Sequence, residues 1–256
     1  MRAWNIAHRG GAGINPENTL AAFADAVARG CDGAELDVQL SHDGVAVVHH
    51  DYRLMQDVAR RDGVWLDAPG PRIKDLTLEE LRRFDIGRPR SGSAYAASHP
   101  DLRPIDGATT PTLADVVAIA APPFRLFVEL KCGIGDDSAD PTALADAAFA
   151  VAGPRVIYVG FDWRALVRIR ALGGTCWFTT DKLKFDARSV IDMISPAGGQ
   201  GWFPHHQDAT PDNVAYARAR GLKVGAWTVN DPDDMERLSD LDAICTDRPD
   251  LLAALT

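Results

Sequence analysis

The stretch DGAELDVQLSHDGVAVVHHD, residues 32–51, contains two β-type runs that are separated by a turn. Glu35 and Asp37 lie two residues apart in the first run, so both side chains project from the same face of a strand. In α/β barrels, chemically active side chains collect at the C-terminal ends of strands. The stretch therefore predicts an acid pair at the end of a buried strand.

The segments on both sides of this stretch alternate between strand-like and helical patterns. A strand is predicted at 4–8 and a helix at 18–29, with Asn18 as N-cap and Gly30 as the stop. After a helix at 113–120, six further strands are each followed by a helix. These strands are predicted at 126–130, 156–159, 176–179, 201–205, 223–228 and 243–245.

Counting both ends gives eight βα units, which predicts a closed (β/α)8 TIM barrel of the α/β class. The alternative is an open doubly wound sheet, which usually carries a GxGxxG fingerprint after its first strand. Residues 8–11 read HRGG and lack that spacing, so the barrel is favoured.

A single domain spanning 1–256 is predicted, with a small insertion at about 52–111 after the second barrel strand. This segment is rich in Asp, Arg, Pro and Gly, and one short helix is predicted in it at 78–84. It is too long for a plain βα loop, so we expect it to fold over the barrel mouth.

The net charge of −9 argues against nucleic acid or an anionic membrane as the main partner. Neither a signal peptide nor an apolar run of about 18 residues is visible, which predicts a cytoplasmic protein without a membrane anchor. The four cysteines are scattered and are interpreted as reduced core thiols. The sequence leaves the oligomeric state open.

Three acids on neighbouring strand ends, Glu35, Asp37 and Glu129, predict a metal site. Ligation by carboxylates alone suits a hard divalent ion such as Mg²⁺ or Ca²⁺. The alternative is a salt-bridge network at the barrel mouth, in which the acids pair with Arg9 and Lys131.

Two adjacent histidines end the second run of the opening stretch. If residues 41–44 form a four-residue turn, Leu40 faces Val45 and Glu35 lies opposite His50. Directly opposed residues share a face of the sheet, so His50 is predicted to point toward the acids and His49 away from them. A slip of one residue would reverse this choice.

His8 and His50 are predicted as a catalytic acid–base pair, because imidazole titrates near neutrality. Arg9 and Lys131 supply the positive charge that an anionic substrate such as a phosphodiester needs. Trp227 offers a flat apolar wall for the alcohol part of such a substrate, with a core tryptophan as the alternative. Further polar groups are expected to support this set: Glu17 beside Arg9, Asp51 beside His50, and Asn230, Thr246 and Asp247 at the last two strand ends.

Taken in order, these motifs resemble the glycerophosphodiester phosphodiesterase family along nearly the whole chain. The opening stretch is joined by AHRG at 7–10, PENTLAAF at 16–23, VELK at 128–131, WTVN at 227–230 and TDRP at 246–249. The resemblance implies metal-dependent hydrolysis of a small glycerophosphodiester to glycerol 3-phosphate and an alcohol. It also implies acid–base roles for His8 and His50, phosphate contacts for Arg9 and Lys131, and a cyclic phosphate formed by the glycerol hydroxyl.

By the same resemblance, Glu35, Asp37 and Glu129 bind the metal, which is Mg²⁺ or Ca²⁺, with Mn²⁺ as a further candidate. Residues 54–61 depart from the family pattern and are expected to border the alcohol pocket, so the alcohol stays unidentified. Two alternatives remain. One is a barrel phospholipase of the phosphoinositide phospholipase C or sphingomyelinase D kind, and the other is a non-catalytic phosphodiester-binding barrel.

Overall fold

The computed structural model describes residues 2–133 and 137–255 of the protein. Its strands, in chain order, are β1 (Trp4–Ala7), β2 (Gly33–Leu40), β3 (Ala46–Val48), β4 (Arg60–Arg61), β5 (Val64–Trp65), β6 (Arg125–Leu130), β7 (Ile157–Val159), β8 (Thr175–Thr180), β9 (Gly201–Pro204), β10 (Lys223–Ala226) and β11 (Ala243–Thr246). Its α-helices are α1 (Leu20–Ala28), α2 (Leu78–Leu81), α3 (Ala94–Ser98), α4 (Leu113–Ile119), α5 (Pro141–Ala152), α6 (Trp163–Ala171), α7 (Ala187–Ile194), α8 (Pro211–Ala219), α9 (Pro232–Arg237) and α10 (Pro249–Ala254). Short 3₁₀ turns cover His8–Gly10, Ile73–Asp75 and Gly153–Arg155.

Parallel pairing runs in the order β1, β2, β6, β7, β8, β9, β10, β11 and then returns to β1. The sheet therefore closes on itself, with helices between its strands, and the predicted (β/α)8 barrel is confirmed. β3 lies outside this ring, because it pairs antiparallel with the C-terminal half of β2.

Side-chain alternation along each strand separates the barrel interior from the layer that contacts the helices. On β2, Ala34, Leu36 and Val38 pack into the outer core, whereas Glu35 and Asp37 have the opposite parity and point inward. The lower interior is filled by a separate apolar cluster of Ile6, Phe127, Val159, Trp177, Phe203, Ala243 and Cys245.

The interior is crowded around Trp177. A Cβ added to Gly201 would lie 2.4 Å from the Trp177 ring, and one added to Gly225 would lie 2.9 Å from the ring of Phe203. Only glycine leaves room for these rings at both positions. The packed aromatic layer closes the barrel, so polar chemistry is confined to the C-terminal mouth above it.

The predicted N-cap of the first helix is wrong by one residue. Thr19 caps α1 by accepting a hydrogen bond from the Ala22 N–H, 3.2 Å away. Asn18 instead adopts a left-handed conformation with φ 55°. Asparagine tolerates this conformation better than most residues. Because Thr19 caps the helix, the Asn18 side chain is free to bind another partner.

The segment between β3 and α4 has more structure than the one helix predicted there. It contains the β4–β5 ladder, the Ile73–Asp75 turn, α2 and α3, and α2 ends at Leu81 rather than at 84. Its small core includes Leu54, Ile73, Leu81 and Phe84, which pack with Val47 of β3.

This segment also contacts loops at the barrel mouth. Tyr95 donates a hydrogen bond to Glu17 in the loop after β1 (2.8 Å), and Lys74 Nζ donates one to the Ser138 carbonyl in the loop after β6 (3.1 Å). Cys31, Cys132, Cys176 and Cys245 are buried free thiols. None of the helices in the described part of the chain has the length and apolarity needed to cross a bilayer.

Candidate active site

The three predicted metal-ligating acids meet at the mouth of the barrel. Asp37 on β2 and Glu129 on β6 are register partners in the parallel ladder, so their side chains lie side by side. Glu35 shares their inward parity. One carboxylate oxygen from each of the three lies within 4.8 Å of the others, which makes the trio a candidate cation site.

The electrostatics of Glu35 fit a cation at this position. Burial raises its pKa well above the ordinary value, and repulsion from Asp37 and Glu129 adds to the effect. Its Oε1 is buried and has no hydrogen-bond partner. A divalent ion would neutralise the repulsion and satisfy this oxygen, and all-carboxylate ligands suit Mg²⁺ or Ca²⁺.

Two basic side chains flank the acids. Lys131 Nζ lies 2.8 Å from Glu129 Oε1 and 3.6 Å from Asp37 Oδ1, and Arg9 Nε lies 3.3 Å from Asp37 Oδ2. Burial acts to raise the pKa of Asp37, but the charges of His50, Arg9 and Lys131 outweigh it and lower that pKa. The salt bridges considered from the sequence are therefore present, yet they leave the Glu35 oxygen unpaired.

Arg9 is held by its backbone as well as by its side chain. Its φ of 50° is unusual for a non-glycine residue and brings its N–H to 3.2 Å from Glu35 Oε2. Its guanidinium donates to both carboxylate oxygens of Glu17, at 3.0 and 3.1 Å. The hydroxyl of Tyr95 completes this chain by donating to Glu17, so the insertion contributes directly to the position of Arg9.

His8 is braced from behind by Asp247, whose Oδ1 lies 2.6 Å from His8 Nδ1. Burial acts to raise the pKa of Asp247, but His8 and Asn230 lower it to about 2, so the carboxylate is ionised at neutral pH. An ionised carboxylate only accepts hydrogen bonds, so Nδ1 carries the proton. Nε2 then faces the mouth, 3.8 Å from Glu35 Oε2.

Asn230 holds this carboxylate in turn. Its Nδ2 donates to Asp247 Oδ2 at 2.6 Å, while its Oδ1 accepts from the Asp247 N–H at 2.9 Å and the Thr246 hydroxyl at 3.1 Å. The sequence indicated supporting groups at these three positions, but their connection to His8 becomes visible only in the closed barrel.

The predicted hairpin register is wrong by one residue. Leu40 pairs with Ala46 rather than with Val45, and Ser41 Oγ accepts a hydrogen bond from the Val45 N–H inside the longer turn. Regular strand pairing ends at Val48, so face alternation cannot be extended to the histidines that follow.

His50 nevertheless lies close to the acids. Its charge is among the causes that lower the pKa values of Asp37 and Glu17, and its Nδ1 lies 3.0 Å from Asp51 Oδ1, as the sequence suggested. His49 is buried, which lowers its pKa. His50 is therefore the more exposed of the pair, although the register argument used to choose it fails.

Trp227 lies half-buried at the mouth. Its Nε1 donates to the Phe203 carbonyl (3.1 Å), and its ring meets the edge of Phe161 with centroids 5.3 Å apart. His205 contacts the same ring from another side, at 5.6 Å. The indole is thus fixed in position with part of its surface free.

Asn18 contacts the acids of the candidate site, although the sequence predicted it only as a helix N-cap. Its Nδ2 donates to Asp37 Oδ2 (2.8 Å), and its Oδ1 accepts from the Asp37 N–H (3.3 Å). The usable signal was the adjacent Thr19, a competent N-cap that made Asn18 unnecessary for capping. Tyr95 was also missed, because nothing local to the insertion indicates where α3 packs.

The model of the glycerophosphoryl diester phosphodiesterase family matches residues 8–251. The chain belongs to this family. The predicted resemblance is confirmed, and so is the prediction that the chain is a glycerophosphodiester phosphodiesterase.

Three relatives match this glycerophosphodiester phosphodiesterase over more than nine-tenths of their own lengths. The glycerophosphodiester phosphodiesterase of Caldanaerobacter subterraneus subsp. tengcongensis is 30% identical, over 100% of this chain and 98% of the relative. A solved structure from Silicibacter pomeroyi has a TM-score of 0.87 at 30% identity and covers 98% of this chain and 92% of its own. An Oleispira antarctica phosphodiesterase in complex with its product sn-glycerol-3-phosphate has a TM-score of 0.76 at 26% identity, covering 97% and 94%. These matches do not favour the phospholipase or non-catalytic alternatives.

Proposed function

We propose that this chain hydrolyses small glycerophosphodiesters to glycerol 3-phosphate and an alcohol by a metal-dependent, two-histidine mechanism. The observation that carries the proposal is the pairing of two aspartate-braced histidines, His8 and His50, with a carboxylate trio in which one buried oxygen has no hydrogen-bond partner. The sn-glycerol-3-phosphate bound to the Oleispira antarctica relative supports the product. Cytoplasmic location stays a prediction from the sequence.

Glu35, Asp37 and Glu129 would hold the divalent cation, Mg²⁺ or Ca²⁺ with Mn²⁺ as a further candidate. When bound, the cation supplies Lewis acidity and neutralises charge on phosphate oxygens. Arg9 and Lys131 add fixed positive charge beside the trio, which favours an anionic diester over a neutral ester.

The two histidines divide the proton transfers. One accepts the proton of the attacking glycerol hydroxyl as its oxygen bonds to phosphorus, and the other donates a proton to the alcohol oxygen as its bond to phosphorus breaks. The product of this step is a cyclic phosphate. Water then opens the ring with the roles reversed, which restores both histidines. Asp247 and Asp51 keep each imidazole oriented through both steps.

The proposal is tested by measuring glycerol 3-phosphate release from a panel of glycerophosphodiesters, with and without EDTA. His8→Ala and His50→Ala are compared with His42→Ala, an exposed turn histidine that serves as the matched control. We expect EDTA-sensitive turnover that both site variants abolish and the control retains. Turnover indifferent to EDTA, or retained in either site variant, would refute the mechanism.

A further inference from the structure

A second cavity opens beside the candidate active site on the same face of the barrel. It measures about 580 Å³ and is lined by the loops after β6, β7 and β8, by the first residues of α6 and by α7. Its apolar lining includes Phe161, Trp163, Leu183, Phe185, Val190 and Met193. We call this cavity the apolar groove.

The groove exposes large apolar side chains over much of their surface. Phe185 is 68% exposed, Met193 53% and Phe161 43%. Exposed apolar residues are ordinary when isolated, but several around one concave surface indicate a binding site. These three come from different elements, so the fold itself assembles them.

The groove is continuous with the candidate active site. Cys132 and Gly133 in its wall directly follow Lys131, and Phe161 contacts the Trp227 ring at 5.3 Å. The Tyr52 hydroxyl approaches the wall from the site side, 3.3 Å from where a Cβ on Gly133 would lie. A molecule with its phosphate beside Lys131 can therefore extend an apolar part into the groove.

The charges in the groove compensate each other. Arg164 Nε donates to Asp162 Oδ1 at 2.9 Å, and the same carboxylate caps the start of α6. No other charged side chain lines the groove in the part of the chain that the structure describes. An uncharged apolar group therefore fits here better than a cationic or anionic one.

We propose that the apolar groove binds the alcohol part of the substrate and that the enzyme favours diesters of glycerol 3-phosphate with uncharged, chain-bearing alcohols. Residues 54–61, which the sequence led us to expect beside the alcohol, do not line this groove. This inference rests on the proposed function, since it places the phosphate beside Lys131. Each methylene buried in the groove would raise kcat/KM by up to about fourfold, and by about twofold where one side faces solvent.

The test uses phosphodiesters in which glycerol 3-phosphate is esterified at its phosphate with ethanol, butanol, hexanol or octanol, all of which release glycerol 3-phosphate. We expect kcat/KM to rise with chain length in the wild-type enzyme. Phe185→Ser and Met193→Ser should each lower it about tenfold for the octyl ester and much less for the ethyl ester, so that the dependence on chain length becomes shallower. Val64→Ser, at a 71% exposed valine in the insertion, is the matched control.

A flat series, or a slope that both groove variants preserve, would overturn the inference and leave the groove to a protein or membrane partner. A binding measurement distinguishes failure of the groove inference from failure of the proposed hydrolysis. Calorimetry measures the affinity of octyl phosphate for the wild type and for Phe185→Ser, with Mg²⁺ present. Binding that depends on Phe185 without turnover of any ester would reject the reaction but support the groove.

Discussion

Replacing Asp247 with asparagine should disable His8 without disturbing the rest of the mouth. Asn230 Nδ2 donates to Asp247 Oδ2 at 2.6 Å, so in Asp247→Asn the amide keeps its carbonyl oxygen toward that donor. Its NH₂ group then faces His8 Nδ1, which must accept a hydrogen bond rather than donate one. The imidazole proton moves to Nε2, and the tautomer at the mouth is reversed.

The magnitude follows from two effects. An Asp→Asn change that enforces the wrong histidine tautomer lowers kcat by about 10⁴-fold in serine proteases, so we expect a loss of about 10³-fold here. The lowering of the Asp247 pKa from 3.8 to about 2 corresponds to about 2 kcal/mol of stability. Because the folded-state pKa is depressed, this stability is present above pH 4 and disappears as the pH falls toward 2.

Steady-state kinetics of glycerol 3-phosphate release and thermal unfolding at pH 7 and pH 3 check both effects. At pH 7 the melting temperature of Asp247→Asn should lie about 4–8 °C below that of the wild type, and this difference between the two proteins should be smaller at pH 3. Asp240→Asn is the matched control, since Asp240 is 71% exposed and pairs only with Arg218 in the described structure. A folded Asp247→Asn enzyme within tenfold of wild-type kcat would refute the reasoning.

Four further predictions concern the acids and their supports. Asn18→Gly tolerates the positive φ but removes the amide that donates to Asp37, so Mn²⁺ affinity measured by calorimetry should fall about 10–100-fold. Asn15→Gly on the same loop is the control and should leave the affinity unchanged. The pKa of Glu35 is raised well above its ordinary value of 4.5, so cation binding displaces a proton. Mn²⁺ affinity should therefore increase with pH above 4.5, by up to tenfold per pH unit, and an affinity that does not change above pH 4.5 would contradict this. Because the folded-state pKa of Glu35 is raised, the protonated side chain stabilises the metal-free fold at low pH, and this stabilisation is lost as the pH rises through that pKa. Mg²⁺ binds the ionised side chain, so added Mg²⁺ should raise the melting temperature more at pH 8 than at pH 6. Tyr95→Phe removes the donor to Glu17 and should lower kcat/KM about tenfold, and an unchanged value would show that the insertion does not support the site.

The sequence by itself determined the barrel and the parity of its site. Eight βα units could be counted directly, and the two-residue spacing of Glu35 and Asp37 fixed both on one face, because strand alternation is a local property. The parallel register of Asp37 with Glu129 then followed once β2 and β6 became neighbours. Residue types at strand ends indicated a divalent cation and an anionic ligand, and the motif resemblance indicated that this ligand is a phosphodiester.

Partnerships between distant segments were decided only by the tertiary structure. Pairing of β1 with β11 closes the barrel and brings Asp247 to His8 across 239 residues, a contact that no local pattern encodes. The hairpin register depended on a turn length that its residues do not specify, and the position of Tyr95 depended on how the insertion folds. Local periodicity fixes which face a side chain occupies, whereas its partner is fixed by the packing of elements far apart in sequence.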